Sequence, residues 1–160
     1  MEFTFLADRP EFIPLIAQWY FDEWGRTAKD NSVKKIQDRI SGMLNRDKIP
    51  VHLLAIDGNE LLGVAQLKIR EMDIYPDKEH WLGGVFVATT ARKRGLGSQL
   101  VLKALDLAKA FNVKKLHLQT ERLDGGLYAS LGFRPVEKVH YSGVHVLVME
   151  TDILPFRICE

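Results

Sequence analysis

Apolar residues along the chain change their spacing from two to three or four and back, and each change marks an element. Phe3, Phe5 and Ala7 alternate with Glu2, Thr4 and Leu6, the period of a short strand, which Asp8-Arg9-Pro10 ends. Phe12, Leu15, Ile16, Trp19 and Tyr20 then fall at helical spacing up to Gly25, with Pro10 or Pro14 suited to a first turn. Ser32 predicts the N-cap of a second helix, whose stripe is Val33, Ile36, Ile40, Met43 and Leu44. Val51 to Ile56 and Leu61 to Ile69 flank Asp57-Gly58-Asn59 and read as a β-hairpin. The charged stretch Glu71 to His80 reads as a loop. Trp81 to Ala88 is a further strand, in which Gly83-Gly84 predicts a bulge. Leu96, Leu100, Ala104, Leu107 and Phe111 share one face of a longer helix; Lys114 to Thr120 is a strand and Gly126 to Leu131 a short helix. Phe133 to Tyr141 and Val144 to Thr151 form a last hairpin turning at Ser142-Gly143.

Strand, two helices, three strands, helix, strand, helix and two strands predict a mixed α/β sheet with helices on both faces. The length of 160 residues suits a single domain over 1–160. Lys plus Arg is 22 and Asp plus Glu 21, a net charge of +1, which argues against a nucleic-acid coat or a polybasic membrane anchor, so an anion site must be local. The one cysteine, Cys159, excludes an intramolecular disulfide framework and a cysteine-rich metal site. No stretch approaches the roughly 18 apolar residues of a spanning helix. A soluble, cytoplasmic protein without a metal is expected.

One segment speaks about chemistry. Val85-Phe86-Val87-Ala88 leads through Thr89-Thr90-Ala91 into Arg92-Lys93-Arg94-Gly95-Leu96-Gly97-Ser98 and the long helix. Orphan N–H groups and the helix dipole favour an anion at such a start, and Gly95 and Gly97 allow close approach. A solvated basic turn fits the same residues. Neither the dinucleotide G-x-G-x-x-G nor the Gly-Lys-Ser/Thr of a P-loop is present.

Arg92-x-x-Gly95-x-Gly97 after Val85-x-Val87 resembles the pyrophosphate motif of the GNAT superfamily of acyl-CoA-dependent N-acetyltransferases. Leu127-Tyr128-Ala129-Ser130-Leu131-Gly132-Phe133 is similar to the family's second signature, and the element order agrees over nearly the whole chain. Thr89 replaces a common proline, and Glu121 or a neighbour a common asparagine. The resemblance implies a mostly antiparallel six- to seven-stranded sheet, splayed between strands four and five. It also implies acetyl-CoA lying in the splay, with its pyrophosphate on the N–H groups of Arg94 to Ser98, Arg92 and Lys93 beside it, and its pantetheine arm along Val85, Phe86 and Val87. A main-chain donor near Val85 would then polarise the thioester carbonyl.

Direct attack by an amine needs an acid for the departing thiolate and a base for the ammonium proton. Tyr128 matches the family's tyrosine and is the expected acid. His117 is the expected base, because Leu116 and Leu118 take one face of their strand and leave His117 and Gln119 the other, and a histidine at this place resembles that of some protein N-terminal acetyltransferases. Glu23, Glu79, His80 and Glu121 are further base candidates. A two-residue turn at Ser142-Gly143 sets His140 opposite His145, two imidazoles that either line the acceptor site or stand exposed; His52 offers no third metal ligand. The acceptor site expected from the family lies between Trp19 to Gly25, with Asp22, Glu23 and Trp24, and Val139 to Val146. The expected partners are acetyl-CoA and an amine acceptor, a small molecule or a protein N-terminus, with no nucleic acid and no membrane, in a monomer or homodimer. The competing expectation is a non-catalytic acyl-CoA-binding module.

Overall fold

A computed structural model describes residues 1–26 and 28–153; Cys159 lies outside them. The order is β1 (Glu2–Phe5), α1 (Ile13–Tyr20), α2 (Val33–Ser41), β2 (Val51–Asp57), β3 (Glu60–Ile69), β4 (His80–Val87), α3 (Leu96–Ala110), β5 (Lys115–Thr120), α4 (Gly126–Ser130), β6 (Arg134–Tyr141) and β7 (Val144–Asp152). The strands form one seven-stranded sheet in the order β1-β2-β3-β4-β5-β7-β6.

All neighbours are antiparallel except β4 and β5, which run parallel and pair at Trp81↔His117. Parallel neighbours need a crossover, and α3 is that crossover. Past Trp81 and His117 the two strands diverge, which is the splay expected from the resemblance.

Leu100, Val101, Ala104 and Ala108 of α3 are buried with Leu82, Leu116, Leu118 and Met149 on one sheet face. On the other, Ile16, Ala17 and Tyr20 of α1 and Ile36 and Ile40 of α2 cover Leu54, Ile56 and Val64. Ser32 caps α2 as expected, its hydroxyl accepting from the Lys35 N–H at 3.1 Å. The first strand stops two residues short of Ala7, because Leu6 turns inward in a 3₁₀ turn and is buried against α1. The first helix also changes form: after Tyr20 it widens into a π turn over Phe21–Gly25. Such a turn re-aims side chains, and here Tyr20 points inward while Trp24 stays 45% exposed.

Among the described residues no helix is long and apolar enough to cross a membrane. One core position works against stability. His52, 1% exposed and opposite Gln66 on β2 and β3, has no hydrogen-bond partner for either ring nitrogen. Desolvation, with Lys68 adding repulsion, lowers its pKa from 6.5 to about 4. Below pH 6.5 the unfolded chain therefore binds a proton that the folded chain refuses. Stability is expected to fall by up to about 3 kcal/mol between pH 6.5 and 4 from this group. In thermal melts across that range, His52→Leu should show a shallower fall than the parent; parallel curves would remove His52 as the cause.

Candidate active site

The bulge predicted at Gly83-Gly84 is present: Val64 pairs with Phe86 but Gln66 with Gly83, so Gly84 and Val85 together oppose Ala65. Gly84 has φ +56°. The Ala88 N–H donates to Leu62 O at 2.8 Å, which turns the main-chain groups of Ala88 and Phe86 toward β3 and, by alternation, those of Val87 and Val85 toward β5. Since β5 has diverged there, that edge of β4 has no strand beside it.

At the open end of this gap stands the start of α3. Gly95, at φ +73°, precedes it with no side-chain cap, and its carbonyl accepts the first intrahelical bond, from Gln99 N–H at 3.1 Å. The N–H groups of Leu96, Gly97 and Ser98 therefore have no partner within the helix. A Cβ on Gly95 would meet nothing within 4 Å, so the approach is open to a phosphate. The three cations are not equivalent. Arg92 Nε donates to Val87 O at 3.0 Å and its guanidinium lies 5.3 Å from the Phe86 ring centroid; Arg94 reaches Thr90 O at 3.3 Å. Only Lys93, exposed and at φ +66°, is bound to no such group.

Tyr128 lies across the gap on α4, packed edge-to-face on Phe133 at 6.1 Å. Burial raises its pKa, so it stays a proton donor. Its neighbour Leu127 reaches to 3.4 Å from where a Cβ on Gly97 would lie, which sets α4 against the α3 start.

The bulge also faces the α1 side, where Trp24 lies 5.6 Å from Tyr20 and 6.4 Å from Phe86, ring centre to ring centre. Below them, Glu71 lies against Gly83: a Cβ there would come within 2.9 Å of Glu71 Oε2. Lys68 Nζ holds Oε1 at 3.0 Å, while Oε2 is buried with no partner. Glu71 also raises the pKa of Tyr141 behind the larger effect of Asp73, which accepts from the Tyr141 hydroxyl at 2.8 Å. A half-buried carboxylate with one unpaired oxygen beside the bulge suits an ammonium group.

The model of the Acetyltransferase (GNAT) family matches residues 12–133. The chain belongs to the GNAT family. No curated protein matches in sequence, but solved structures share the fold. An aminoglycoside 6'-N-acetyltransferase complexed with coenzyme A is 15% identical, with a TM-score of 0.74 over 99% of this chain and 100% of that one. The ribosomal-protein-alanine N-acetyltransferase from Brucella melitensis is 20% identical, with a TM-score of 0.72 over 95% and 99%. The aminoglycoside 6'-acetyltransferase type Ii is 18% identical, with a TM-score of 0.74 over 98% and 100%.

Within this GNAT fold the expected residues divide. The segment Val85 to Val87 and Arg92 to Ser98, together with Tyr128, gathers around the gap. His117 sits at its closed end, 5% exposed, 5.4 Å from the Trp81 ring. Its Nδ1 lies 3.3 Å from His80 O, which assigns the proton to Nδ1 and leaves Nε2 a bare acceptor, 3.9 Å from Glu150 Oε2. That side opens on a cavity of about 460 Å³ lined by Lys78, Lys115 and Glu150. Desolvation lowers the His117 pKa, so the ring is neutral.

His140 and His145 do pair, with centroids 4.6 Å apart. They do not join Trp24 and Glu23. Leu147 and Met149 face α3 while Val146 and Val148 face Trp81, so by period-two alternation His145 and its partner take the α3 side. Glu23 and Glu121 are exposed, and Glu79 pairs with Arg70 and His80. Glu71 and Gln66 were not anticipated at the site, and Tyr20 was expected there only as part of the Trp19 to Gly25 segment.

Proposed function

We propose that the chain is a cytoplasmic N-acetyltransferase that moves an acetyl group from acetyl-CoA to a primary amine, a small molecule or a peptide N-terminus. The unpaired edge of β4, running from the uncapped start of α3 to the bulge, carries this reading. Its donors and glycines fit the cofactor: Leu96 to Ser98 N–H groups for the pyrophosphate, Val85 and Val87 for the pantetheine arm, with Arg92 exchanging Val87 O for phosphate. The bound cofactor supplies an activated acetyl thioester. Everything else is the work of this chain.

Trp24 and Phe86 present an apolar wall to the acceptor, and Glu71 receives its ammonium group and takes one proton. The freed nitrogen bonds to the acetyl carbon as the carbon–sulfur bond breaks; Tyr128 protonates the sulfur, and one proton leaves to solvent overall. His117, with its bare Nε2, is the alternative proton acceptor at the closed end.

CoA release measured over a panel of small amines and N-terminal peptides tests the function. Tyr128→Phe is expected to lower turnover about a hundredfold while acetyl-CoA affinity holds. Undiminished turnover would remove Tyr128 as the acid. Cofactor binding with no turnover on any amine would favour the non-catalytic module.

A further inference from the structure

Tyr20, on α1 beside Trp24, buries its ring and turns its hydroxyl to the bulge of β4. It donates to the carbonyl of Gly84, 64 positions along the chain, at 2.7 Å. The Gln66 side chain hydrogen-bonds the same hydroxyl, and burial raises the Tyr20 pKa so that the donor keeps its proton. The fit is close on every side: a Cβ on Gly84 would come within 2.6 Å of both Tyr20 Oη and Gln66 Nε2.

Gly84 O and the Val85 N–H belong to one planar peptide unit and point in opposite directions. Fixing one fixes the other. Two consecutive glycines leave this stretch free to rotate, and the strand that would ordinarily hold the Val85 N–H has diverged, since β4 and β5 pair at Trp81↔His117, before the bulge. Val85 N–H thus faces the gap, and what orients it is the bond on the far side of its own peptide plane.

We propose that Tyr20, braced by Gln66, is a positioning residue that aims the Val85 N–H at the thioester carbonyl, where negative charge develops during attack. This rests on the gap being the acyl-CoA site. Tyr20 touches no reacting atom; it acts through the peptide it holds.

The test is the carbonyl itself. Isotope-edited infrared spectroscopy of acetyl-CoA labelled with ¹³C at the acetyl carbonyl, bound to the full chain, should show a band below that of free acetyl-CoA. In Tyr20→Phe the band should move back toward the free position and broaden. Turnover should fall about ten- to a hundredfold, with KM for acetyl-CoA and the Kd of CoA, which lacks the carbonyl, unchanged. A variant band coinciding with the parent's would overturn the proposal and leave the gap assignment standing. A parent band equal to that of free acetyl-CoA would overturn both. Should Tyr20→Phe not fold, Gln66→Met keeps the phenol and removes its brace. A smaller shift in the same direction then supports the proposal, and none overturns it.

Discussion

Gly97→Asp is expected to abolish the protection that acetyl-CoA gives against thermal unfolding while barely changing the melting of the free protein. A Cβ at Gly97 would meet Leu127 Cδ2 at 3.4 Å and Val87 Cγ2 at 3.9 Å, ordinary contacts that cost the fold little. A carboxylate in the first turn of α3 also suits the helix dipole, by roughly 0.3–1 kcal/mol. The same carboxylate would accept from the N–H groups of the helix start and repel a pyrophosphate there. A loss of at least about a hundredfold in affinity follows. At a ligand concentration of about 100 times Kd the parent gains about 2.7 kcal/mol; after a hundredfold rise in Kd the gain is about 0.4 kcal/mol. Melts with and without acetyl-CoA measure this directly, and Gly97→Ala separates bulk from charge. Protection that survives Gly97→Asp would move the phosphate site elsewhere.

The parts of this fold that local spacing governs were legible before the structure. Period two and period 3.6 located the strands and the long helix, the consecutive glycines marked the bulge, and Ser142-Gly143 set His140 against His145. What spacing does not carry is partnership at a distance. β7 inserts between β5 and β6, and that choice, not the hairpin turn, decides which face His140 and His145 occupy. Tyr20 showed as a buried helical position, yet its partner at Gly84 is set only when α1 is laid across β4. Glu71 read as a solvated loop charge for the same reason: nothing beside it in the chain announces Gly83, whose missing Cβ makes the space its carboxylate fills. The α3 start was the exception, an uncapped helix start made of consecutive residues, so a short motif could show it.

Glu71→Gln is expected to lower kcat/KM by about a hundredfold or more at neutral pH and to leave acetyl-CoA binding and thermal stability intact. Stability should hold because Glu71 is an imperfectly paired group. Lys68 neutralises Oε1 at 3.0 Å, but Oε2 is buried with no donor, and an unsatisfied polar atom of this kind costs about 1–3 kcal/mol, more when charged. Removing the charge relieves that cost, and Lys68, partly exposed, keeps water. An amide keeps the shape but takes no proton and draws no ammonium. Loss of activity without loss of stability would mark a residue retained for chemistry. His117→Asn is the necessary comparison. Its ring is already neutral, its pKa lowered by desolvation, and it stands where β4 and β5 are still paired, so its loss should cost far less than that of Glu71. The reverse ranking, with Glu71→Gln active and His117→Asn silent, would hand the proton to His117 Nε2 and leave Glu71 as a structural partner of Lys68.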